Sequence, residues 1–195
     1  MKAAWYEKQG AARDVLTVGE MDEPQPLAGE VRIRVAVSGV NPGDVKKRQD
    51  AFGVGMPYPR VIPHSDGVGT VDLVGERVSQ EWIGRRVWCY GAQSYRPFGT
   101  AAEYTVVPLQ QAAPLPENAP AEQGACLGIP GITAHRAVHV AGPVRGVPCW
   151  WKAVPARLRL VPFNSRIERE HESSPLAVLK AIRKSLRLRV RTRSY

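Results

Sequence analysis

The first half of the chain is rich in short strand-like segments separated by glycine and proline, and one of them alternates polar and apolar residues. Residues 30–37 follow this pattern, and residues 67–75, 86–90 and 99–107 are three further strand-like segments. Between the first two, residues 41–44 read N-P-G-D, the residue types of a turn. Several short strands at this spacing predict a compact, partly closed β-barrel.

The predicted secondary structure changes from strands to helices after Pro116. Residues 119–126 predict a short helix with a proline near its first turn, and residues 131–138 predict the start of a second helix, closed by residues 141–143. The predicted fold class is therefore mainly β with some α.

Charge divides the chain near Val144. Residues 1–144 carry 14 Lys and Arg against 15 Asp and Glu, whereas residues 145–195 carry 13 against 3. The whole net charge of +9 thus comes from the last quarter. We expect a domain over residues 1–144 and a basic tail over 145–195, in which residues 174–188 could form a basic helix.

Cysteine usage and hydropathy exclude several classes of protein. The three cysteines, Cys89, Cys126 and Cys149, are too few and too widely spaced for a disulfide framework or a paired zinc motif. No run of 18 apolar residues predicts a membrane span, and the N-terminus lacks the apolar core of a secretory signal. A cytoplasmic protein is expected.

Four motifs along residues 1–144 carry a family resemblance. They are G-V-N-P-G-D at 39–44, P-R-V-I-P-H-S-D-G-V-G at 59–69, P-F-G-T-A-A-E-Y at 97–104 and G-I-P-G-I-T-A-H-R-A at 128–137. In this order the chain resembles the quinone oxidoreductase and zeta-crystallin branch of the medium-chain dehydrogenase/reductase superfamily. The resemblance implies a chaperonin-10 (GroES)-like catalytic barrel, then a Rossmann domain for NADPH, a substrate cleft between them and, for the full-length family, a possible homodimer.

The same resemblance assigns candidate site residues. It implies that Asn41 lies in the catalytic cleft beside the nicotinamide with Asp44 nearby, that Thr133 faces the cofactor, and that Gln93 and Arg96 line the substrate mouth. Each position has a plainer alternative: residues 41–44 can be only a turn, Thr133 a helix N-cap or an internal helix hydroxyl, and residues 93–96 an exposed loop.

Zinc is not expected in this chain. Zinc-dependent relatives have a cysteine where Asn41 stands and a ligand histidine where Ser65 stands, so a set of three ligands is lacking. His64 is expected to be a structural histidine. Hydride would pass from NADPH to a quinone or enone, with polar groups such as Asn41 holding the substrate oxygen.

A basic run, Lys46, Lys47 and Arg48, departs from the family, which often has a tyrosine at the first of these positions. Such a cluster could favour the NADPH 2′-phosphate or an acidic substrate, or it could be a solvated face.

No G-x-G-x-x-G motif occurs in the chain, so the glycine-rich turn of a Rossmann domain is missing. A slip of reading frame offers an explanation. In the shifted frame, each new codon consists of the third base of one codon and the first two bases of the next. The codons of residues 149–152 then encode Leu, Val and Glu whichever synonymous codons are used. The region as a whole is compatible with the sequence V-L-V-E-G-G-A-G-A-V-A. That string predicts a strand followed by a glycine-rich turn. Residues 145–195 are therefore expected to be a frameshifted remnant, and the chain alone to have little or no activity.

Two other functions of the basic tail stay open. Clustered Lys and Arg can bind nucleic acid or another anionic surface, and residues 175–188 could lie on an anionic membrane. We expect no specific nucleic-acid partner and no membrane partner.

Overall fold

The computed structural model of this protein describes residues 1–94, 96–140 and 142. The described chain divides into a first unit, Met1–Pro130, and a second unit that begins at Gly131. The expectations for the basic tail, including its helix, fall outside the described residues. None of the described helices combines the length and the apolar character needed to cross a bilayer.

Five antiparallel strands build the main sheet of the first unit. They are β3 (Glu30–Gly39), β4 (Asp66–Val74), β5 (Arg86–Cys89), β6 (Tyr104–Pro108) and β7 (Ala112–Pro114), in the spatial order β6-β3-β4-β5-β7. A separate two-stranded sheet pairs β1 (Lys2–Trp5) with β2 (Thr17–Glu20). The pairing of β3 with β4 shifts register at Arg32/Ile33 and again at Val35/Val37, and such irregularities bend a sheet. The expected mainly β class with a curled, partly open sheet is confirmed.

Short helices connect and close the strands. They are α1 (Ala12–Val15), α2 (Pro42–Arg48), α3 (Ala121–Gly124) and, in the second unit, α4 (Ile132–His139), with single 3₁₀ turns at Gln80–Trp82 and Leu109–Gln111 and an irregular turn at Leu127–Gly131. The helices expected over 119–126 and 131–138 are present, the first one shortened to a single turn.

Two local expectations were wrong. Residues 99–103 lie before β6, because the backbone N–H groups of Gly99 and Thr100 donate to the carbonyls of Ile62 and His64 in a neighbouring loop instead of to a strand partner. The segment from Asn41 to Asp44 is the start of α2 and not a plain turn.

One face of the main sheet covers an apolar cluster. Alternate residues of β3, Val31 and Ile33, are fully buried there together with Val71, Val87 and Val107. Cys89 belongs to the same cluster, and burial raises the pKa of its thiol to about 12. The thiol therefore stays protonated and unreactive at neutral pH.

Candidate active site

Asn41 caps the N-terminus of α2 between β3 and the helix. Its backbone is extended, and Pro42 follows at the first helical position, where a missing N–H costs nothing. The Asp44 side chain reaches back, and its Oδ2 accepts the Asn41 backbone N–H at 2.8 Å. Both residues are 5% exposed. The sequence N-P-G-D is thus a helix start that orients Asn41.

Asp66 fixes the Asn41 side chain from the first residue of β4. Its Oδ2 accepts the Asn41 Nδ2–H at 2.8 Å and the backbone N–H of Ile129 at 2.7 Å. Its other oxygen, Oδ1, is buried and has no hydrogen-bond partner within the part of the chain that the structure describes. Gly128 lies directly against this carboxyl group, and a Cβ there would overlap it. Asp66 therefore joins three segments that are distant in sequence.

Burial raises the pKa of both carboxyl groups beside Asn41. For Asp66, the bonds from Asn41 and Ile129 oppose this rise, and the nearby charge of Asp44 adds to it. For Asp44, the bond from Asn41 and the charges of His64 and Lys47 oppose it. Desolvation is the largest cause in each case, so the charged form of either group is less favourable here than in water.

A chain of side-chain hydrogen bonds runs behind Asp66. The Thr100 hydroxyl donates to the Asp66 carbonyl at 2.7 Å, and Ser38 Oγ lies 2.8 Å from both Thr100 Oγ1 and His64 Nδ1. Since the Thr100 proton is used on a carbonyl, Ser38 must donate to Thr100 and accept from His64. The proton of neutral His64 is therefore on Nδ1, and Nε2 carries a lone pair.

His64 is unusual in backbone and in charge. Its φ is +75°, in the left-handed region that few residues with a side chain adopt. Burial lowers the pKa of its imidazole, although the Asp44 charge opposes that shift. The expected structural role agrees with its bond to Ser38. We call Asn41, Asp44, Asp66, His64, Ser38 and Thr100 the polar cluster.

The residues predicted for the substrate mouth have different surroundings. Gln93 is 4% exposed, so the exposed-loop alternative is wrong for it. Its Oε1 accepts the Lys47 Nζ at 2.8 Å, and its Nε2 donates to the Arg96 carbonyl at 3.3 Å. The Arg96 guanidinium instead pairs with Glu30 at 2.7 Å. The structure thus brings Gln93 to α2, whereas the Arg96 side chain is engaged with the start of β3.

Thr133 lies in the first turn of α4, in the second unit. Gly131 is the N-cap of that helix, so the N-cap alternative for Thr133 is wrong. Its cofactor role stays a prediction.

The basic run after Asp44 separates into three environments. Lys46 is exposed, Lys47 is half-buried with its bond to Gln93, and Arg48 is buried and donates to the Gly10 carbonyl. A helix turns about 100° per residue, which sends three consecutive side chains in three directions. The expectation of one solvated cationic face is therefore wrong.

Side chains that can ligate a metal ion are dispersed in the described part of the chain. Within residues 1–94, 96–140 and 142, no three His, Cys, Asp or Glu side chains are grouped so that they could hold a metal ion. The expectation that the chain works without zinc stays a prediction.

Sequence reasoning missed Asp66, Ser38 and Thr100. Asp66 and Thr100 stand inside two of the motifs that carry the family resemblance, and Asp66 is a charged residue that opens a strand directly before Gly67 and Val68. That position was the available signal, because a carboxylate at the start of a buried strand requires a hydrogen-bond partner. Its partners, Asn41 and Ile129, could not be identified without the fold.

Comparison with known proteins identifies the domain. Residues 27–117 match the alcohol dehydrogenase GroES-like domain. The quinone oxidoreductase of Mus musculus is 40% identical over 119 residues, which cover 59% of this chain and 33% of the mouse protein. That of Lama guanicoe is 31% identical over 142 residues, 71% of this chain and 40% of the relative.

Solved structures give the same answer. A mycobacterial protein complexed with NADPH matches 76% of this chain and 42% of its own, with a TM-score of 0.64 and 28% identity. The quinone oxidoreductase of Thermus thermophilus, also solved with NADPH, matches 71% and 40%, with a TM-score of 0.55 and 30% identity. The N-terminal part of this chain belongs, with the quinone oxidoreductases, to the medium-chain dehydrogenase/reductase superfamily. It spans about a third to two fifths of the length of these curated relatives.

Proposed function

We propose that residues 1–144 are the catalytic domain of an NADPH-dependent reductase that transfers hydride to a quinone or enone without zinc. The relatives named above are quinone oxidoreductases, and two of the structural neighbours bind NADPH. One observation carries the proposal: at the N-terminus of α2, Asp66 accepts a hydrogen bond from the Asn41 side-chain amide and Asp44 accepts one from the Asn41 backbone N–H.

The proposed role of Asn41 follows from this geometry. Its Nδ2 has two N–H groups, of which one donates to Asp66, and the other can donate to an oxygen in the cleft. A donor that is already oriented stabilises developing negative charge without reorganisation during the reaction. Asp44 would hold the backbone of Asn41, Gln93 and Arg96 would border the substrate, and Thr133 would face the cofactor.

We propose that the described residues contact only the nicotinamide end of NADPH. When bound, NADPH supplies the hydride, and the protein supplies position and electrostatics. A phosphate cradle needs glycines whose backbone a phosphate can approach. Gly69 and Gly99 pack against the domain's own backbone, and Gly128 packs against the Asp66 side chain, so none of these three offers such a surface. The 195-residue polypeptide is therefore proposed to turn over NADPH slowly or not at all.

The proposal includes the frame slip after Gly146, which lies outside the described residues. Reading the same gene in the shifted frame from that codon yields what we call the frame-restored chain. Its predicted strand and glycine-rich turn would form the Rossmann-domain side of the cleft.

The test compares the two polypeptides. NADPH oxidation with a quinone acceptor is measured for the 195-residue chain and for the frame-restored chain, with the gene resequenced around Gly146. We expect turnover from the restored chain alone. An early stop codon in the shifted frame removes the frame hypothesis, and an inactive, folded restored chain removes the proposed reductase function.

A further inference from the structure

A cavity of about 430 Å³ opens in the first unit beside α2. Its size is within the range of small-molecule sites, about 300–1,000 Å³. Much of its wall is apolar and comes from aromatic side chains and from the segment after α2, namely Tyr6, Phe52, Val54, Pro57 and Tyr58. Phe52 and Val54 are 62% and 78% exposed, although both are large apolar residues. Such a wall favours a flat, apolar ligand.

Lys47 places a positive charge in this apolar wall. Its Nζ donates to Gln93 Oε1, and the Lys47 side chain forms no ion pair with any carboxylate of the described residues. An ammonium group has three donors, and Gln93 uses one of them. Gln93 is a neutral partner, and Asp44, whose carboxyl group interacts with the Lys47 charge, forms no ion pair with it. An anionic oxygen is therefore a partner that the two remaining donors of Lys47 can bind.

The other charged group of the cavity wall is Asp50. Its Oδ1 accepts the backbone N–H groups of Val54 and Gly55 at 2.8 and 3.0 Å, which holds the loop after α2 in place. Asp50 therefore shapes the wall, whereas Lys47 has donors to spare. Of the basic run, Lys47 alone lines this cavity, since Lys46 and Arg48 are absent from its wall.

We propose that this cavity binds an aromatic ring compound with one anionic oxygen, a carboxylate or an ionised phenol, with the ring against Tyr6, Phe52 and Tyr58 and the oxygen on Lys47. The proposal of a binding site rests on the cavity alone. The further statement that such a compound is the hydride acceptor rests on the proposed function. It makes Lys47 a specificity-determining residue for acidic acceptors.

The experiment measures binding to the 195-residue chain by isothermal titration calorimetry, without NADPH. The probes are 2-naphthoate and its neutral counterpart of similar shape, 2-naphthamide. We expect naphthoate to bind about tenfold more tightly, as a hydrogen bond to a charged group allows. The Lys47→Met variant should lose that preference, whereas Lys47→Arg and the matched control Lys46→Met should keep it. Thermal unfolding of each variant shows that the domain is intact.

Three results would overturn the site: equal affinity for the two probes, no binding of either, or equal losses in Lys46→Met and Lys47→Met. The reductase proposal is measured separately. Lys47-dependent binding of naphthoate together with an inactive frame-restored chain would keep this site and reject the reductase. An active restored chain with no Lys47-dependent binding would do the opposite.

Discussion

The apolar cluster beneath the main sheet and the polar cluster at the start of α2 share one domain but are specified in different ways. The apolar cluster follows from alternation within strands, as Val31 and Ile33 on β3 illustrate. The polar cluster depends on contacts between distant segments, because Asp66 meets Asn41 across 25 residues and Ile129 across 63. The first is local pattern, and the second exists only once the chain has folded.

The two clusters also differ in what they contribute to stability. Burying Ile33 removes apolar surface from water, which is favourable. Burying Asp66 leaves Oδ1 without a partner among the described residues, and an unsatisfied buried polar atom costs about 1–3 kcal/mol. A group retained at such a cost is a candidate for function, and here the group holds Asn41.

The largest effect is expected in the apolar cluster. Ile33→Ala should lower the free energy of unfolding by about 2–5 kcal/mol, because it removes buried methylenes and leaves a cavity. Urea unfolding measures this, with the exposed neighbour Arg34→Ala as the control. A loss below about 1 kcal/mol would mean that the cluster does not dominate stability.

A coupled effect on stability is expected at the contact between Gly128 and Asp66. Gly128→Ala should destabilise the domain by about 2 kcal/mol, because its new Cβ overlaps the Asp66 carboxyl group. The same change should cost much less in an Asp66→Ala background. A double-mutant cycle by urea unfolding gives the coupling, and additive effects would show that the two residues do not touch.

Breaking the hydrogen-bond chain should cost somewhat less. Thr100→Val leaves the Asp66 carbonyl and the Ser38 hydroxyl without their partner and should cost about 1–2 kcal/mol. Thr100→Ser keeps the hydroxyl and is the matched control. Thr100→Val keeps the methyl group and loses the hydroxyl, so its loss should exceed that of Thr100→Ser. Unchanged stability of Thr100→Val would show that these hydrogen bonds contribute nothing.

The smallest effect is a pH dependence. Since the folded-state pKa of Asp66 is raised, its contribution to stability is fully present below its unfolded pKa and is lost as pH rises through the folded pKa. Asp66→Asn cannot ionise, so its stability relative to the unsubstituted protein should improve as pH rises from about 4 to about 7. Urea unfolding across this range tests it, and a difference independent of pH would contradict the raised pKa.

Much of the fold was predictable from sequence, but only some residues of the polar cluster could be predicted. The bounds of strands β3, β4 and β5 agree with the strand-like segments predicted from the sequence to within two residues. The N-P-G-D segment is compatible with both a turn and a helix start, and local residue types could not choose, because the decision depends on the Asn41 contact with Asp66. Lys47 was visible only as part of a basic run, since separating it from Lys46 needs the direction of α2.

Turnover by the frame-restored chain tests the central claim, that a fixed Asn41 amide serves hydride transfer, most directly. We expect Asn41→Ala to lower kcat/KM for NADPH-dependent quinone reduction by about 100-fold or more, as loss of an oriented donor does, without loss of fold by circular dichroism. Unchanged kcat/KM in a folded Asn41→Ala chain would contradict the account.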